Sequence, residues 1–258
     1  MNVFNYLQIK LNQISSFIPP PSSPSDEKSN VLIIFVHPRS NNDGFAHGAL
    51  QATLKGLNCH SNNTIRIRRL YYDSTLSSEQ AEEECISYKK DFNPKLNEIE
   101  HRKYMNDSLN SRVLKPADLK KSGYDSEIIR SVRDLQWCDK LILVYPTWWF
   151  GLPAILKGYM DRVLIPGVAF SIKEEKSGIN LIPLLTNIKK VAVVTSYGSN
   201  YSNAFFCDTS RPFISNVFRS LCNTNTTLNW LALYEMDTQT DNNRREHCLY
   251  IEETMKKF

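Results

Sequence analysis

Short, continuous apolar runs alternate along this chain with segments in which apolar residues recur at helical spacing. The runs at 31–36 and 141–145 are rich in strand-forming residues, a pattern typical of strands buried on both faces of a parallel sheet. Pro146 ends the second run, and the spacing from Ile155 to Val163 predicts an amphipathic helix that begins near Gly151. Further strands are predicted at 64–70, 191–194 and 226–234, and further helices at 49–57, 126–138, 211–221 and 240–257. The alternation predicts a right-handed, doubly wound α/β sheet of five parallel strands.

The loops that follow these strands are candidate binding segments, because ligands of open parallel sheets bind at the carboxyl ends of the strands. After residues 31–36 the sequence continues as HPRSNNDGFAHGAL, a polar loop that leads into a helix. Helix N-termini offer unpaired amides and the positive end of a dipole, so this loop is a candidate phosphate site; ordinary turn chemistry is the alternative. Asp43 would bring an anion to the loop, or it could be the helix N-cap.

The segment from Pro146 to Gly158 carries the pattern P-x-x-W-[FY]-G-x-P-A-x-L-K-G. It resembles the signature that lines the flavin site in the flavodoxin-like NAD(P)H:quinone oxidoreductases. The matching residues are Pro146, Trp149, Phe150, Gly151, Pro153, Ala154, Leu156, Lys157 and Gly158. A flavin ring is flat and mostly apolar with a polar edge, so its site needs an aromatic wall and backbone donors, both of which the residues from Thr147 to Phe150 can supply. The alternative is a buried helix with an aromatic start.

The resemblance implies a cofactor site built from three loops. In the family a His-Pro pair follows the first strand and its loop holds the flavin phosphate, and the loop after the strand at 191–194 carries T-T-Y-G or T-T-G-G with donors facing the ring. The implied cofactor-binding residues are His37, Arg39, Ser40, Gly44, Phe45, Ala46, Pro146, Thr147, Trp148, Trp149, Phe150, Thr195, Ser196, Tyr197 and Gly198. Arg39 could offset the charge of Asp43. Gly198 is expected to have a positive φ, and a hydroxyl-rich turn without a binding role is the alternative for its loop.

The resemblance also implies catalytic roles for three aromatic residues. Trp149 and Phe150 would form the floor of the cavity in which nicotinamide and acceptor alternate. Tyr201 aligns with a family tyrosine that polarises the substrate, provided that a gap of two residues is allowed. A histidine that accompanies this tyrosine in some members has no counterpart, since no histidine occurs between His101 and His247. The proton-handling step therefore has no assigned residue.

The family likeness implies a flavodoxin-like sheet in the order 2-1-3-4-5 over about residues 30–257. It further implies a flavin-dependent enzyme that takes hydride from NADPH or NADH and reduces quinones or similar acceptors by a ping-pong cycle, as a homodimer with each site at the interface. FAD is the preferred cofactor, and FMN is the alternative. Two other functions remain open: a flavodoxin-type electron carrier, and a non-enzymatic regulatory subunit of the same fold.

Composition narrows the class of protein further. The chain has 258 residues, of which 41% are hydrophobic, so a single domain can bury a full core. Its formal net charge of +4 is small and its basic residues are dispersed, which argues against nucleic-acid recognition. Six cysteines lack any C-x-x-C pair or zinc-like spacing, and Cys138 and Cys222 fall in predicted helices. We therefore expect reduced thiols, a cytoplasmic protein and no metal site.

Two segments depart from the regular α/β pattern. Residues 1–29 place several apolar residues on one helical face before a Pro/Ser-rich linker, and a flexible tail is the favoured interpretation. Packing on the domain, or contact of residues 1–18 with a membrane surface, is the alternative. Residues 30–258 form the predicted flavin-binding domain. Because DFNPKL at 91–96 resembles the family's segment after the second strand, the acidic stretch at 73–90 is interpreted as an insertion.

Overall fold

A central sheet of five parallel strands organises the computed structural model, which describes residues 28–38, 44–87, 89–104, 113–175 and 178–258. Its strands are β1 (Ser29–Phe35), β2 (Asn63–Arg69), β3 (Lys140–Pro146), β6 (Lys190–Ser196) and β7 (Thr227–Leu233). They lie in the order β2-β1-β3-β6-β7. Counted along the chain within this sheet, the order is 2-1-3-4-5, so the predicted flavodoxin-like topology is confirmed.

Helices cover both faces of the sheet. Their bounds are Phe45–Leu57 for α1, Ser78–Glu84 for α2, Glu98–Tyr104 for α3, Pro116–Lys121 for α4, Ser126–Trp137 for α5, Ala154–Val163 for α6, Tyr201–Cys207 for α7 and Asp241–Met255 for α9. Between α7 and β7, one helical segment begins as α-helix at Ser210–Pro212 and continues as a π-helix at Phe213–Phe218; we call it α8.

The sheet separates two apolar cores. Alternate residues of β1 point to opposite faces, with Leu32 and Ile34 in one core and Ile33 and Phe35 in the other. Helices α5 and α6 supply the first core, and α1 and α9 pack together over the second. Residues 31–35 of β1 and 141–145 of β3 are buried on both faces of the sheet, which explains their continuous apolar sequences.

Several predicted boundaries differ from the structure. Helix α6 begins at Ala154 rather than near Gly151, because Pro153 is its N-cap and residues before it form a tight turn. Helix α5 begins at Ser126, as predicted, with Asp125 as its N-cap, and it ends at Trp137 rather than at Cys138. Cys138 and Cys222 lie just beyond helices rather than inside them, and all six cysteines are free. An antiparallel hairpin of β4 (Phe170–Glu175) and β5 (Gly178–Pro183) was not predicted.

The predicted segments at 1–29 and 73–90 differ in how much the structure describes. Residues 1–27 of the predicted N-terminal extension lie outside the described residues. The acidic stretch at 73–90 contains helix α2. Ser77 and Gln80 form a reciprocal capping box at the N-terminus of this helix. None of the helices in the described part of the chain has the length and apolarity of a membrane span.

A buried ion cluster joins the segment after α2 to helix α6. The Arg162 side chain has no exposed surface, and its guanidinium donates to Glu127 and, at 2.6 Å and 2.9 Å, to Glu100 and Asp125. One turn earlier, a Cβ on Gly158 would lie 2.3 Å from the carbonyl oxygen of Pro94. Segment 93–104 is therefore fixed directly against the helix that follows the tryptophan motif.

Candidate functional site

A cavity of about 1200 Å³ opens at the carboxyl ends of β1, β3 and β6. This is the place where an open parallel sheet is expected to bind its ligand. The sequence-predicted residues that line it are His37, Gly44, Phe45, Ala46, Pro146, Thr147, Trp148, Ser196 and Gly198. Nine of the predicted cofactor-binding residues, drawn from all three loops, therefore surround one space, which we call the main cavity.

The amino end of α1 forms one wall of the main cavity. Gly44 precedes the helix with a φ of 122°, which favours glycine, and no side chain among the described residues caps the helix. The first turn itself contains no acidic residue. Such an end suits a phosphate group. The predicted residues Arg39 and Ser40, together with Asp43, lie outside the described residues.

The tryptophan motif folds as a tight turn, residues 148–151, which we call the aromatic turn. The N–H of Trp148 donates to the carbonyl oxygen of Gly151 at 3.2 Å, and the N–H of Gly151 donates back to Trp148 at 3.0 Å. Trp149 and Phe150 occupy the two central positions with φ values of 50° and 56°. Left-handed backbone is unfavourable for residues with a Cβ, so this turn holds two strained residues in succession.

The aromatic turn offers a ligand two backbone amides, those of Trp149 and Phe150. Thr147 donates both its N–H and its hydroxyl to the Ser196 carbonyl oxygen, so its amide is not available. Among the described residues, no acceptor bonds the N–H of Trp149 or Phe150. The Trp149 side chain is 97% exposed, whereas Phe150 packs against the core. The turn thus presents two adjacent donors beside an exposed indole.

The third predicted loop is divided between the main cavity and the protein interior. Ser196 and Gly198 line the cavity, whereas Thr195 and Tyr197 are buried. Gly198 does not have the positive φ that was expected, so that expectation was wrong. A different constraint applies instead, since a Cβ on Gly198 would lie 3.0 Å from Oδ2 of Asp237. The glycine is explained by close approach of a neighbouring loop rather than by backbone conformation.

One short segment connects the third loop to the aromatic turn. Asp208 accepts a hydrogen bond from the Tyr197 hydroxyl at 2.7 Å, and its other bonds come from Ser210 and from the N–H of Arg211. Thr209, the next residue, donates its N–H to the carbonyl oxygen of Phe150 at 2.8 Å. Burial, followed by the nearby Asp208 charge, raises the pKa of Tyr197, so this phenol stays neutral and donates.

The three predicted catalytic residues do not line the main cavity. Trp149 and Phe150 form its neighbouring turn, with the indole in solvent. Tyr201 begins α7 and lines a second, smaller cavity with Tyr197 and Tyr234. The structure therefore brings most of the cofactor-binding set together and leaves Tyr201 apart from it.

Sequence reasoning missed the far side of the main cavity. Residues after β7 and on α9 line it, together with the α1 residue Lys55; they are Met236, Asp237, Asp241, Arg244, Arg245, Cys248, Leu249 and Glu252. Arg244 donates to Asp241 at 2.9 Å and to the Met236 carbonyl oxygen at 3.0 Å. The sequence could have indicated the residues directly after β7, because that segment also follows the carboxyl end of a sheet strand.

Comparison with known proteins assigns the fold to a family. Residues 29–223 match a family model described as the flavodoxin-like fold. The chain belongs to the flavodoxin-like fold family. Within this family it is similar to relatives named as quinone oxidoreductases. A rat ribosyldihydronicotinamide dehydrogenase [quinone] is 47% identical over 53 residues, which are 20% of this chain and 23% of that protein. The match thus spans about a quarter of the relative's length.

Solved structures agree with the fold over a much longer stretch of the chain. An NAD(P)H:quinone oxidoreductase from Methanothermobacter marburgensis superposes with a TM-score of 0.61 and 19% identity, covering 89% of this chain and 96% of that one. An FMN-dependent NADH-azoreductase from Bacillus anthracis in complex with FMN gives a TM-score of 0.61 at 17% identity, covering 88% and 97%. At these identities the likeness concerns the fold.

Proposed function

We propose that this chain is a flavin-dependent NAD(P)H oxidoreductase that reduces quinones or similar two-electron acceptors. The observation that carries the proposal is the main cavity, in which residues of all three loops of the oxidoreductase signature face one space. The names of the similar proteins point to the same chemistry. A bound flavin would accept hydride from a nicotinamide and pass it to the acceptor in a ping-pong cycle.

The chain's own groups fit a flavin at both ends. The uncapped end of α1 would bind a phosphate, with Gly44 allowing close approach of the backbone. The N–H groups of Trp149 and Phe150, which donate to no described acceptor, would bond the polar edge of the ring. Because backbone hydrogen bonds to Gly151 and Thr209 fix the turn, these amides are oriented before binding and would stabilise negative charge on the reduced ring.

FAD is the proposed cofactor rather than FMN. The main cavity extends from the strand ends along α1 to Lys55 and along α9 to Arg244 and Arg245. Three basic side chains beyond the phosphate loop suit the second phosphate and the adenosine of a dinucleotide. Asp237, Asp241 and Glu252 also face this space, and the Asp241 carboxylate orients Arg244 through their ion pair. Replacement of Arg244 by Gln should weaken FAD more than FMN, as measured by flavin fluorescence.

The proposal includes a homodimer that encloses the acceptor site. Large apolar side chains are exposed beside the main cavity and on α7; they are Trp148, Trp149, Phe205 and Phe206. Burial of such a group in a subunit interface would complete the wall around the aromatic turn. Sedimentation at several concentrations tests this, and a monomer at all of them would contradict it. We also propose a cytoplasmic location, supported by the six free cysteines and testable by fractionation.

The deciding experiment follows the absorption of purified protein during anaerobic addition of NADPH or NADH. Full bleaching of a bound flavin in one two-electron step, and its return on adding a quinone, is the expected result. A stable semiquinone would instead indicate an electron carrier, and protein that takes up no flavin would indicate a regulatory subunit. Denaturation of the protein releases the bound flavin, and chromatography of the supernatant identifies it as FAD or FMN.

Trp149→Ala separates catalysis from cofactor retention. The side chain is 97% exposed, so its removal should leave flavin content close to that of the wild type. Turnover should fall because the indole would no longer fix the stacking distance between the flavin and the substrate. Misplacement of a reacting group by about 1 Å can lower the rate roughly 100-fold. Wild-type turnover of a small quinone by a fully loaded variant would remove Trp149 from the proposed wall.

A further inference from the structure

A second cavity lies behind the third loop and has a composition unlike that of the main cavity. Its volume is about 370 Å³, and Tyr197, Tyr201, Phe205 and Tyr234 supply its aromatic walls, with Arg211 and Asp208 as charged members. We call it the tyrosine pocket. It shares no lining residue with the main cavity, although Tyr197 lies between Ser196 and Gly198, which line that cavity.

The walls of the tyrosine pocket are arranged for a flat ring. Tyr197 and Tyr234 are stacked with centroids 5.0 Å apart and planes 17° apart. Tyr201 stands edge-on to Tyr234 at 5.3 Å, and Phe205 tilts against Tyr201 at 6.1 Å. These rings pack on one another in the offset and edge-to-face geometries that aromatic groups favour, and the parts of them that line the pocket are the surface that a planar guest would contact. The volume lies within the range of small-molecule sites.

The polar groups of the pocket define the chemistry of that guest. Asp208 accepts four hydrogen bonds, two at each carboxylate oxygen, so it has no capacity left for a ligand donor. The hydroxyls of Tyr201 and Tyr234 form no hydrogen bond with any other residue that the structure describes. Burial raises the pKa of Tyr234, which keeps its phenol protonated. These groups are donors that still lack acceptors.

Arg211 gives the pocket its charge preference. Its guanidinium carbon lies 5.5 Å from the centroid of the Trp230 ring, which holds the side chain at the wall. The Asp208 carboxylate keeps its negative charge, but its four hydrogen bonds leave no lone pair for a guest, so the groups that can bond a guest are two phenols and the Arg211 guanidinium. All of them favour an acceptor, and the guanidinium favours an anion.

We propose that the tyrosine pocket binds a planar aromatic anion, such as an aromatic carboxylate, at a site separate from the flavin. Its ring would pack among Tyr201, Phe205 and Tyr234, and its carboxylate would accept from Arg211 and the Tyr234 phenol. The pocket also contacts the flavin loop, since Tyr197 belongs to both the pocket wall and the third loop. Binding is measured without turnover, so the outcome does not depend on the proposed oxidoreductase activity.

The test titrates the full chain, saturated with whichever flavin it retains, with 2-naphthoate in an isothermal calorimeter. Flavin saturation fills the cofactor part of the main cavity but leaves the proposed acceptor site over the ring open, so the pocket variants below locate the binding. A dissociation constant of about 1 mM or lower is expected for a ligand of this size. The neutral isostere 2-naphthamide should bind roughly tenfold or more weakly, because it lacks the charge that Arg211 favours. Equal binding of the two, or no heat from 2-naphthoate, overturns the proposal.

Variants locate the binding. Arg211→Gln and Tyr234→Phe should each weaken 2-naphthoate, whereas Arg211→Lys should retain part of the affinity. The matched control is Arg219→Gln, which removes an equal charge from an exposed position just after α8 and outside the pocket. Should Arg211→Gln fail to fold, the conservative Tyr234→Phe variant still decides. Two outcomes would refute the assignment. In the first, Tyr234→Phe and Arg211→Lys both bind 2-naphthoate as the wild type does and discriminate equally well against 2-naphthamide. In the second, Arg219→Gln loses as much affinity as Tyr234→Phe.

Discussion

The carbonyl oxygen of Phe150 accepts two hydrogen bonds from Thr209, one from its N–H at 2.8 Å and one from its hydroxyl at 3.2 Å. Phe150 is one of the two left-handed residues of the aromatic turn, and Thr209 lies 59 residues away in sequence. A tertiary contact therefore holds the strained backbone that presents the proposed flavin donors.

Removal of the Thr209 hydroxyl should loosen the aromatic turn more than it weakens the fold. Thr209→Val deletes one of the two bonds, at a cost of about 1 kcal/mol or less in the free energy of unfolding. Turnover with a quinone should fall roughly tenfold, because small displacements of donors are costly in hydride transfer. Thr209→Ser, which keeps the hydroxyl, is the control. Equal turnover in the Val and Ser variants would show that the N–H bond alone suffices.

Glycine at position 149 should stabilise the backbone of the aromatic turn. Trp149 has a φ of 50° and an almost fully exposed side chain, so its replacement removes strain and little packing. We expect Trp149→Gly to exceed Trp149→Ala by about 1 kcal/mol in the free energy of unfolding, since alanine keeps the Cβ that disfavours this conformation. Urea denaturation of both variants provides the measurement. A glycine variant less stable than the alanine variant would contradict the strain argument.

Position 198 should tolerate a methyl group only if Asp237 is shortened. The added Cβ in Gly198→Ala would lie 3.0 Å from Asp237 Oδ2, so the third loop or the Asp237 side chain must move. Flavin occupancy should fall in Gly198→Ala and recover in the double variant Gly198→Ala/Asp237→Ala. Occupancy is read from the ratio of flavin to protein absorption. Failure of the second substitution to restore it would assign the loss to a different contact.

Stability should depend on pH through His247. Burial lowers the pKa of this histidine to about 4, and its Nε2 has no hydrogen-bond partner in the described structure. The folded state thus favours the neutral ring: the stabilisation is complete above the unfolded pKa of about 6.5 and is lost as the pH falls toward about 4. The loss should be on the order of 3 kcal/mol.

His247→Phe should remove most of that dependence, because the ring lies near Phe45 and Tyr250, each with its centroid 5.9 Å away, and phenylalanine cannot accept a proton. Denaturation at several pH values between about 7 and 4 measures the slope. The exposed His101, changed to Gln, is the control and should leave the slope intact. A wild-type slope in His247→Phe would assign the acid sensitivity to carboxylates.

Loss of Arg162 should cost more than loss of any surface cation. Arg162→Met leaves the buried carboxylates of Glu100 and Glu127 without their partner, and breaking such a pair costs about 3–5 kcal/mol. Lys157→Met on the same helix breaks an exposed pair with Asp161 and should cost about 0.5 kcal/mol or less. The deficit of Arg162→Met should shrink at acid pH, because protonation removes the two unpaired charges. A loss of stability that does not change with pH would indicate that lost packing, and not the unpaired charges, causes it.

The topology and the gathering of the three loops could be predicted because they depend on local pattern. An unbroken apolar sequence such as that from Leu141 to Val144 indicates a buried parallel strand. Because the carboxyl ends of parallel strands lie at the same edge of the sheet, the loops that follow them are expected to lie together. The hairpin of β4 and β5 was not predicted, since its short strands mix apolar and charged residues and form a two-stranded sheet separate from the central one. Buried Arg162 likewise has no signal of its own on an amphipathic helix.

The fine structure of the site depends on contacts that sequence spacing does not reveal. A turn with two positive φ values is normally indicated by glycine or asparagine, yet here Trp149 and Phe150 occupy it because Thr209 and Gly151 hold the chain. The prediction of a positive φ at Gly198 was wrong because the glycine is required by a tertiary contact and not by its own backbone conformation. The carboxylate of Asp237, which is distant in sequence, occupies the space of a side chain. Both features are tertiary.

The exposure of the Trp149 side chain separates the shape of the aromatic turn from the identity of its most prominent residue. The turn is fixed by backbone hydrogen bonds to Gly151 and Thr209, and the indole contributes almost no buried surface to the fold. Selection at this position can therefore act on whatever passes over the turn with little penalty in folding. In an evolving lineage, position 149 is a place where new specificities can be sampled one substitution at a time while the scaffold persists.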